Sequence, residues 1–303
     1  MLLKSKSIWK KLWTDTDREV SISLSVVILL YFSVSEPSVF FEYEVSAIIC
    51  ITTAIAFYLS EKNYYPLSDS LIILGMPISL VLTAIGLVSV FSSFTDVTDE
   101  LPDVRGIGAA THLMLVTILC GLVLGLMGFI LKKDKASKSP NLPIPLRSFL
   151  ALLFIFLLYV TYGVYETFGF SRLISIYPAT LTIGLAFLFL VIRRQTGTAE
   201  NLSDAGLATV IMGIIISTTE LYSNFGSSDN HQFLEPHLFF QITTYANYCL
   251  FYGASIYVIS FLWSLKTNET ENINFKLRNW HMLEAFSFYV FMTLAAPSVF
   301  SLV

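Results

Sequence analysis

Charge is scarce in this chain. Asp, Glu, Lys and Arg make up 13% of its 303 residues, about half the share of ordinary soluble domains, near 25%. That excludes a soluble enzyme and a disordered chain. With 18 basic against 22 acidic residues it leaves no basic face for a nucleic acid. Cysteine is scarce as well: Cys50, Cys120 and Cys249 all fall in apolar stretches, so no disulfide framework is expected. There is no Walker loop, no HExxH zinc motif, no nucleophile elbow and no intramembrane lysine for a retinal Schiff base. An enzyme is the least supported class, and no cofactor or metal is expected. The four histidines (His112, His231, His237 and His281) lack metal spacing with the acids. Met1 to Arg18 is basic and polar and leads into a membrane-length stretch, not a cleavable signal.

What the chain has in excess is apolar bulk: 55% hydrophobic residues, 25 Phe and 15 Tyr, with a mean hydropathy of +0.70. A helix crosses a bilayer with about 20 mostly apolar residues. Nine stretches qualify: 20–36, 41–60, 70–92, 107–131, 147–165, 173–192, 205–223, 238–264 and 279–301. Placing the N-terminus in the cytoplasm puts all but Arg105 and Arg172 of the 18 basic residues on the inner side, as the positive-inside rule requires. The expected fold is all-α, a polytopic integral membrane protein of about nine transmembrane helices, N-in and C-out.

The chain also reads as a repeat. A basic N-terminal segment, 1–19, precedes a first four-helix unit, 20–131. A cytoplasmic linker, 132–147, carries Pro140, Pro143 and Pro145, and a second unit, 148–265, follows. Each unit opens on Leu-Leu-Tyr (29–31 and 157–159) and has Leu-Ser-Asp (67–69 and 202–204) before its third span. Four spans is an even number, so the copies are parallel repeats. A loop, 266–278, and a lone ninth helix, 279–303, complete the chain. Asp69 and Asp204, each after a serine, read as helix N-caps.

The most specific pattern lies in the third and fourth spans. Leu82-Thr83-Ala84-Ile85-Gly86-Leu87 and a following Phe91 precede a loop with Asp96, Asp99 and Asp103; then come Ile107-Gly108, Thr117 and Cys120-Gly121. This resembles the MotA/TolQ/ExbB proton-channel family, whose paired pore helices carry Gly-Thr-x-x-Gly-Leu-x-x-x-Phe, an acidic turn and Ile-Gly…Thr-Thr-x-x-Gly. The resemblance covers 20–131 and, more faintly, 148–265, where Thr218, Thr243 and Thr244 are the nearest counterparts. It implies a bacterial inner-membrane proton or sodium channel subunit, or an energy-transducing scaffold, assembled as a homo-oligomeric ring in the lipid bilayer. The connection 61–70 is too short for the cytoplasmic rotor-binding domain of flagellar stators.

By the resemblance, Thr83 and Thr117 belong to the ion pathway. Thr hydroxyls are neutral, donate and accept, and cost less to bury than a charge, although Thr in a membrane helix also serves packing and back-bonding. Gly86, Gly108, Gly121 and Gly125 are read as helix-packing positions. The family's ion carrier is an acid on a separate single-span ExbD/MotB-like partner. Glu284, about one turn inside the ninth span, is an intramembrane acid and so a functional candidate. Its helix is weakly similar to the ExbD/TolR carrier helix and could replace that partner. The plainer alternative is that Glu284 snorkels to the interface near Lys276 and Arg278. A non-conducting scaffold, or a small-molecule transporter with a site between the halves, are the other functions left open.

Overall fold

The structure is a computed structural model that describes residues 43–95, 104–131, 143–167, 175–194, 196–226, 236–270 and 273–300. These form eight helices and no strand: α1 Tyr43–Glu61, α2 Leu67–Thr95, α3 Val104–Leu131, α4 Leu146–Thr167, α5 Ile176–Ile192, α6 Thr198–Gly226, α7 Pro236–Thr267 and α8 Phe275–Phe300. Among the described residues four helical stretches are long and apolar enough to cross a membrane: Leu67–Val88, Leu146–Gly163, Thr198–Ser223 and Gln241–Thr267. Those features fit an α-helical membrane protein. The expected first span, 20–36, lies outside the described residues, as do the basic segment 1–19 and most of the linker 132–147.

Helix α2 is the axis. Apolar residues surround it without a polar face, which is the signature of a helix buried on all sides, and 89% of Leu67–Val88 is buried against 28% of Leu146–Gly163 in α4. It pairs along its length with α3 on one side and α7 on the other. Helix α7 in turn pairs with α6 as intimately as α2 does with α3. Helix α1 lies across α2 and α3, and α5 across α6 and α7, so the two triplets share one pattern of pairing. Helix α4 bridges α1, α2 and α7, and α8 covers α6 and α2. The rim is apolar: Phe154, Ile183 and Phe187 stand out from the protein.

Small residues set the closest approaches, as membrane helices require when no hydrophobic effect drives them together. In the antiparallel α2–α3 pair, a Cβ on Gly75 would come within 2.9 Å of the Gly121 carbonyl oxygen, and Gly128 lies against the Ser68 and Ile72 backbone. In the α6–α7 pair, a Cβ on Gly206 would meet the Gly253 carbonyl oxygen at 2.6 Å, and Gly213 abuts Cys249. Of the expected packing glycines, Gly121 sits at such a contact and Gly86 is buried. Gly125 does not pack: its Cβ position meets nothing within 4 Å, because its side of α3 faces outward.

Two helices end on asparagine in the left-handed region, Asn63 (φ 54°) and Asn268 (φ 60°), the conformation asparagine tolerates best after glycine. Tyr64 N–H donates to Leu59 C=O at 2.9 Å and Glu269 N–H to Ser264 C=O at 3.0 Å, the six-to-one bond of a Schellman close. The second turn sends Glu269 to the start of α6, where its carboxylate accepts the Ala199 N–H at 3.0 Å.

Candidate functional site

Thr83 of α2 and Thr117 of α3 meet. Their hydroxyls are 2.6 Å apart in a buried contact, one turn of α3 from Gly121 and about two turns of α2 from Gly75, where the backbones close. Thr83 Oγ1 also lies 2.8 Å from the Ser79 carbonyl oxygen. A hydroxyl has a single hydrogen, so Thr83 gives it either to the Ser79 carbonyl or to Thr117, and either hydroxyl can be the donor between the two. The Ser79 contact is helical back-bonding, in which a Thr reaches the carbonyl four residues earlier.

Acids and bases converge at the end of the bundle where α2, α6 and α8 begin. Lys276 Nζ pairs with Asp69 at 2.5 Å. Arg278 Nε pairs with Asp204 at 2.7 Å and its NH2 group with Glu200 at 3.4 Å, while Arg193 also pairs with Asp204. The aspartates of the two Leu-Ser-Asp segments are therefore not N-caps. Helix α2 begins at Leu67 and α6 at Thr198, so both carboxylates lie inside their helices and turn to α8. Tyr65 packs edge-on against Phe261, with ring centroids 5.4 Å apart. Burial, with Asp69 nearby as a smaller cause, pushes its phenol well above the usual value.

Beside this layer Asn279 solves a backbone problem. Pro77 lies inside α2 and has no N–H to give the carbonyl four residues earlier, that of Ile73. The buried Asn279 amide donates to Ile73 C=O at 2.9 Å and to Ile72 C=O at 2.9 Å. Further along α8, Tyr289 Oη donates to Asn247 Oδ1 at 2.9 Å and lies 3.3 Å from the Thr243 carbonyl. Asn247 Nδ2 is buried without a partner.

Glu284 lies on the other side of α8. Its side chain is 57% exposed and pairs with Nδ1 of His281 at 3.0 Å. It neither points at Thr83 and Thr117 nor reaches Lys276 and Arg278, which are bound to Asp69, Asp204 and Glu200. Thr243 and Thr244 lie on α7, the first buried and the second half-buried, and Thr218 is half-buried on α6. The Gly108 position and the side chains of His112 and His237 lie outside the residues whose surroundings are described, as do His231 and the loop acids Asp96, Asp99 and Asp103. Among the described residues no three His, Cys, Asp or Glu side chains cluster as metal ligands would. Gly75, Gly206 and Gly253, the Lys276 and Arg278 pairs and the Asn279–Pro77 relation were not read from the sequence. A proline mid-span was the one available signal, since it announces an orphaned carbonyl. Compared with known proteins, the chain matches no family model, no curated protein and no solved structure.

Proposed function

We propose that the chain is a MotA/TolQ/ExbB-like subunit of a bacterial inner membrane, N-in and C-out, formed of two parallel four-helix units and a fused terminal helix. In this proposal it works as an energy-transducing scaffold whose exchangeable proton sits on Glu284. The observation that carries it is the seat of α8. It packs on α2 and α6, the third helices of the two units, and its Lys276 and Arg278 hold Asp69 and Asp204, the acids at the same place in each. A helix with an acid, docked on equivalent helices of repeated units, matches how a carrier helix would sit in that family. The Thr83–Thr117 pair supports the same assignment of α2 and α3 as the paired helices.

A non-conducting scaffold is the second reading, favoured by the same pair, because the Thr83 hydroxyl already has the Ser79 carbonyl and Thr117 as partners within the helix pair. A transport site between the halves has less support, since α2 packs directly on α7 there. Proton flux into proteoliposomes under an imposed potential separates these. Flux that Glu284→Gln or Thr117→Val abolishes supports the proposal. Flux absent from the wild-type chain favours the inert scaffold, and flux untouched by Glu284→Gln removes the role of Glu284.

A further inference from the structure

Helix α8 has two seams. Phe275, Met282 and Tyr289, each seven residues from the last, are buried against the bundle with Asn279 and Phe286. On the opposite side Leu277, His281, Glu284, Phe288 and Phe291 recur at alternating spacings of four and three, and all five are exposed. That alternation is the a/d pattern of a helix meant to lie along another at a shallow crossing angle. The membrane alone would suit the leucine and the two phenylalanines. It does not suit the pair between them: the His281 side chain is 46% exposed and that of Glu284 57%. Glu284 lies about 9 Å further along the helix than Arg278, at 1.5 Å per residue. Hydrocarbon supplies such groups with neither donor nor acceptor.

We propose that this outer seam is an interface between two copies of the chain, in which His281 of each copy pairs with Glu284 of the other. The sequence of the seam is self-complementary. In two parallel helices related by a two-fold axis along the membrane normal, a side chain at d packs beside those at a and d of its neighbour. Glu284, at d, then meets its own counterpart across the axis with the neighbour's histidine, at a, in the adjoining layer, and the two internal His–Glu contacts join into a closed set of four groups. Self-complementarity of one patch is what a two-fold interface demands. Neither copy completes the surroundings of Glu284 alone. The inference rests on the reading of Glu284 as a working intramembrane acid and names the partner that reading lacks.

The test is cross-linking of the full chain in lipid nanodiscs and in native membranes. In a background with Cys50, Cys120 and Cys249 changed to alanine, Phe291→Cys is oxidised with copper phenanthroline, and Phe154→Cys on α4 serves as control. The expected result is a linked dimer from Phe291→Cys and none from Phe154→Cys. Glu284→Lys should abolish the dimer, and adding His281→Glu should restore it. If the cysteine-free chain folds poorly, native mass spectrometry of the wild-type chain against Glu284→Lys reads the same loss of dimer. A monomer throughout overturns the proposal, as does a dimer indifferent to Glu284→Lys. A link from position 291 to a cysteine placed in residues 20–36 of its own chain overturns it too. These readouts need no ion gradient, so a dimer without proton flux sinks the proposed function alone, and flux from a monomer sinks the interface alone.

Discussion

Replacing Asn279 with leucine should destabilise the protein by an amount that depends on what stands at position 77. In the native chain the Asn279 amide occupies the Ile73 carbonyl that Pro77 leaves without an N–H. Leucine there strands a buried acceptor, at a cost of about 1–3 kcal/mol. Some of that is returned, because Asn279 Oδ1 is itself buried with no partner and disappears with the substitution. The net loss should be about 1–2 kcal/mol. With alanine at 77 the helix supplies its own N–H to Ile73, and Ile72 already accepts from Met76 in a regular ladder. Asn279→Leu should then be close to neutral, which makes the coupling between the two substitutions about 1–2 kcal/mol. Unfolding of the four chains by SDS in mixed micelles, followed by tryptophan fluorescence, measures this cycle. Effects that add to within about 0.5 kcal/mol, as independent sites do, would refute the view that the asparagine stands in for the missing N–H.

Other outcomes follow from the same contacts. Gly206→Ala should cost about 1–3 kcal/mol by overpacking, since its Cβ would press on the Gly253 carbonyl oxygen at 2.6 Å. Gly125→Ala, facing open space, should be neutral or stabilising by about 0.5–1 kcal/mol; thermal melts in one detergent compare the two. Arg278→Met, whose side chain is 14% exposed and serves two acids, should destabilise by about 1–3 kcal/mol. Lys276→Met, more exposed, should cost less than about 1 kcal/mol, and equal losses would contradict the layer described. Tyr65 is neutral in the folded protein beyond the pH at which a free phenol ionises. Its contribution is therefore present in full below about pH 10 and is lost as pH rises above that value. Tyr65→Phe should flatten the alkaline limb of a stability–pH curve.

The fold is legible in the sequence where one segment carries its own signal. The stretches 70–92 and 238–264 predict helices, and α2 and α7 occur at Leu67–Thr95 and Pro236–Thr267, because a predominantly apolar run of that length has few other conformations in lipid. Thr83 and Thr117 are singled out only through the family resemblance, and the contact of their hydroxyls at 2.6 Å is a finding of the structure. The start of α6 is not legible. Thr198 to Asp204 is polar and reads as loop, yet it is helical because Glu269 takes the Ala199 N–H and Arg193 and Arg278 take its acids. Such pairings join residues far apart in the chain, as Asn279 and Ile73 are at 206 positions, and a single sequence offers no way to match them. The outward face of Glu284 was hidden for the same reason: a single acid in a helix can face either side of it.

The clamp formed by α8 also has a meaning in time. Asp69, Asp204 and the Ile73 carbonyl belong to helices synthesised well before Lys276, Arg278 and Asn279 leave the ribosome. Until α8 arrives, the body of the protein holds two acids short of the lysine and the arginine of α8 and a backbone oxygen with no hydrogen to accept. Its unfinished state therefore differs from its finished one in charge and polarity, at positions a membrane quality-control protease could sense. A chain stopped before residue 275 should be degraded faster than its apolar helices alone would predict, and pulse-chase of that truncation beside the full chain would show it.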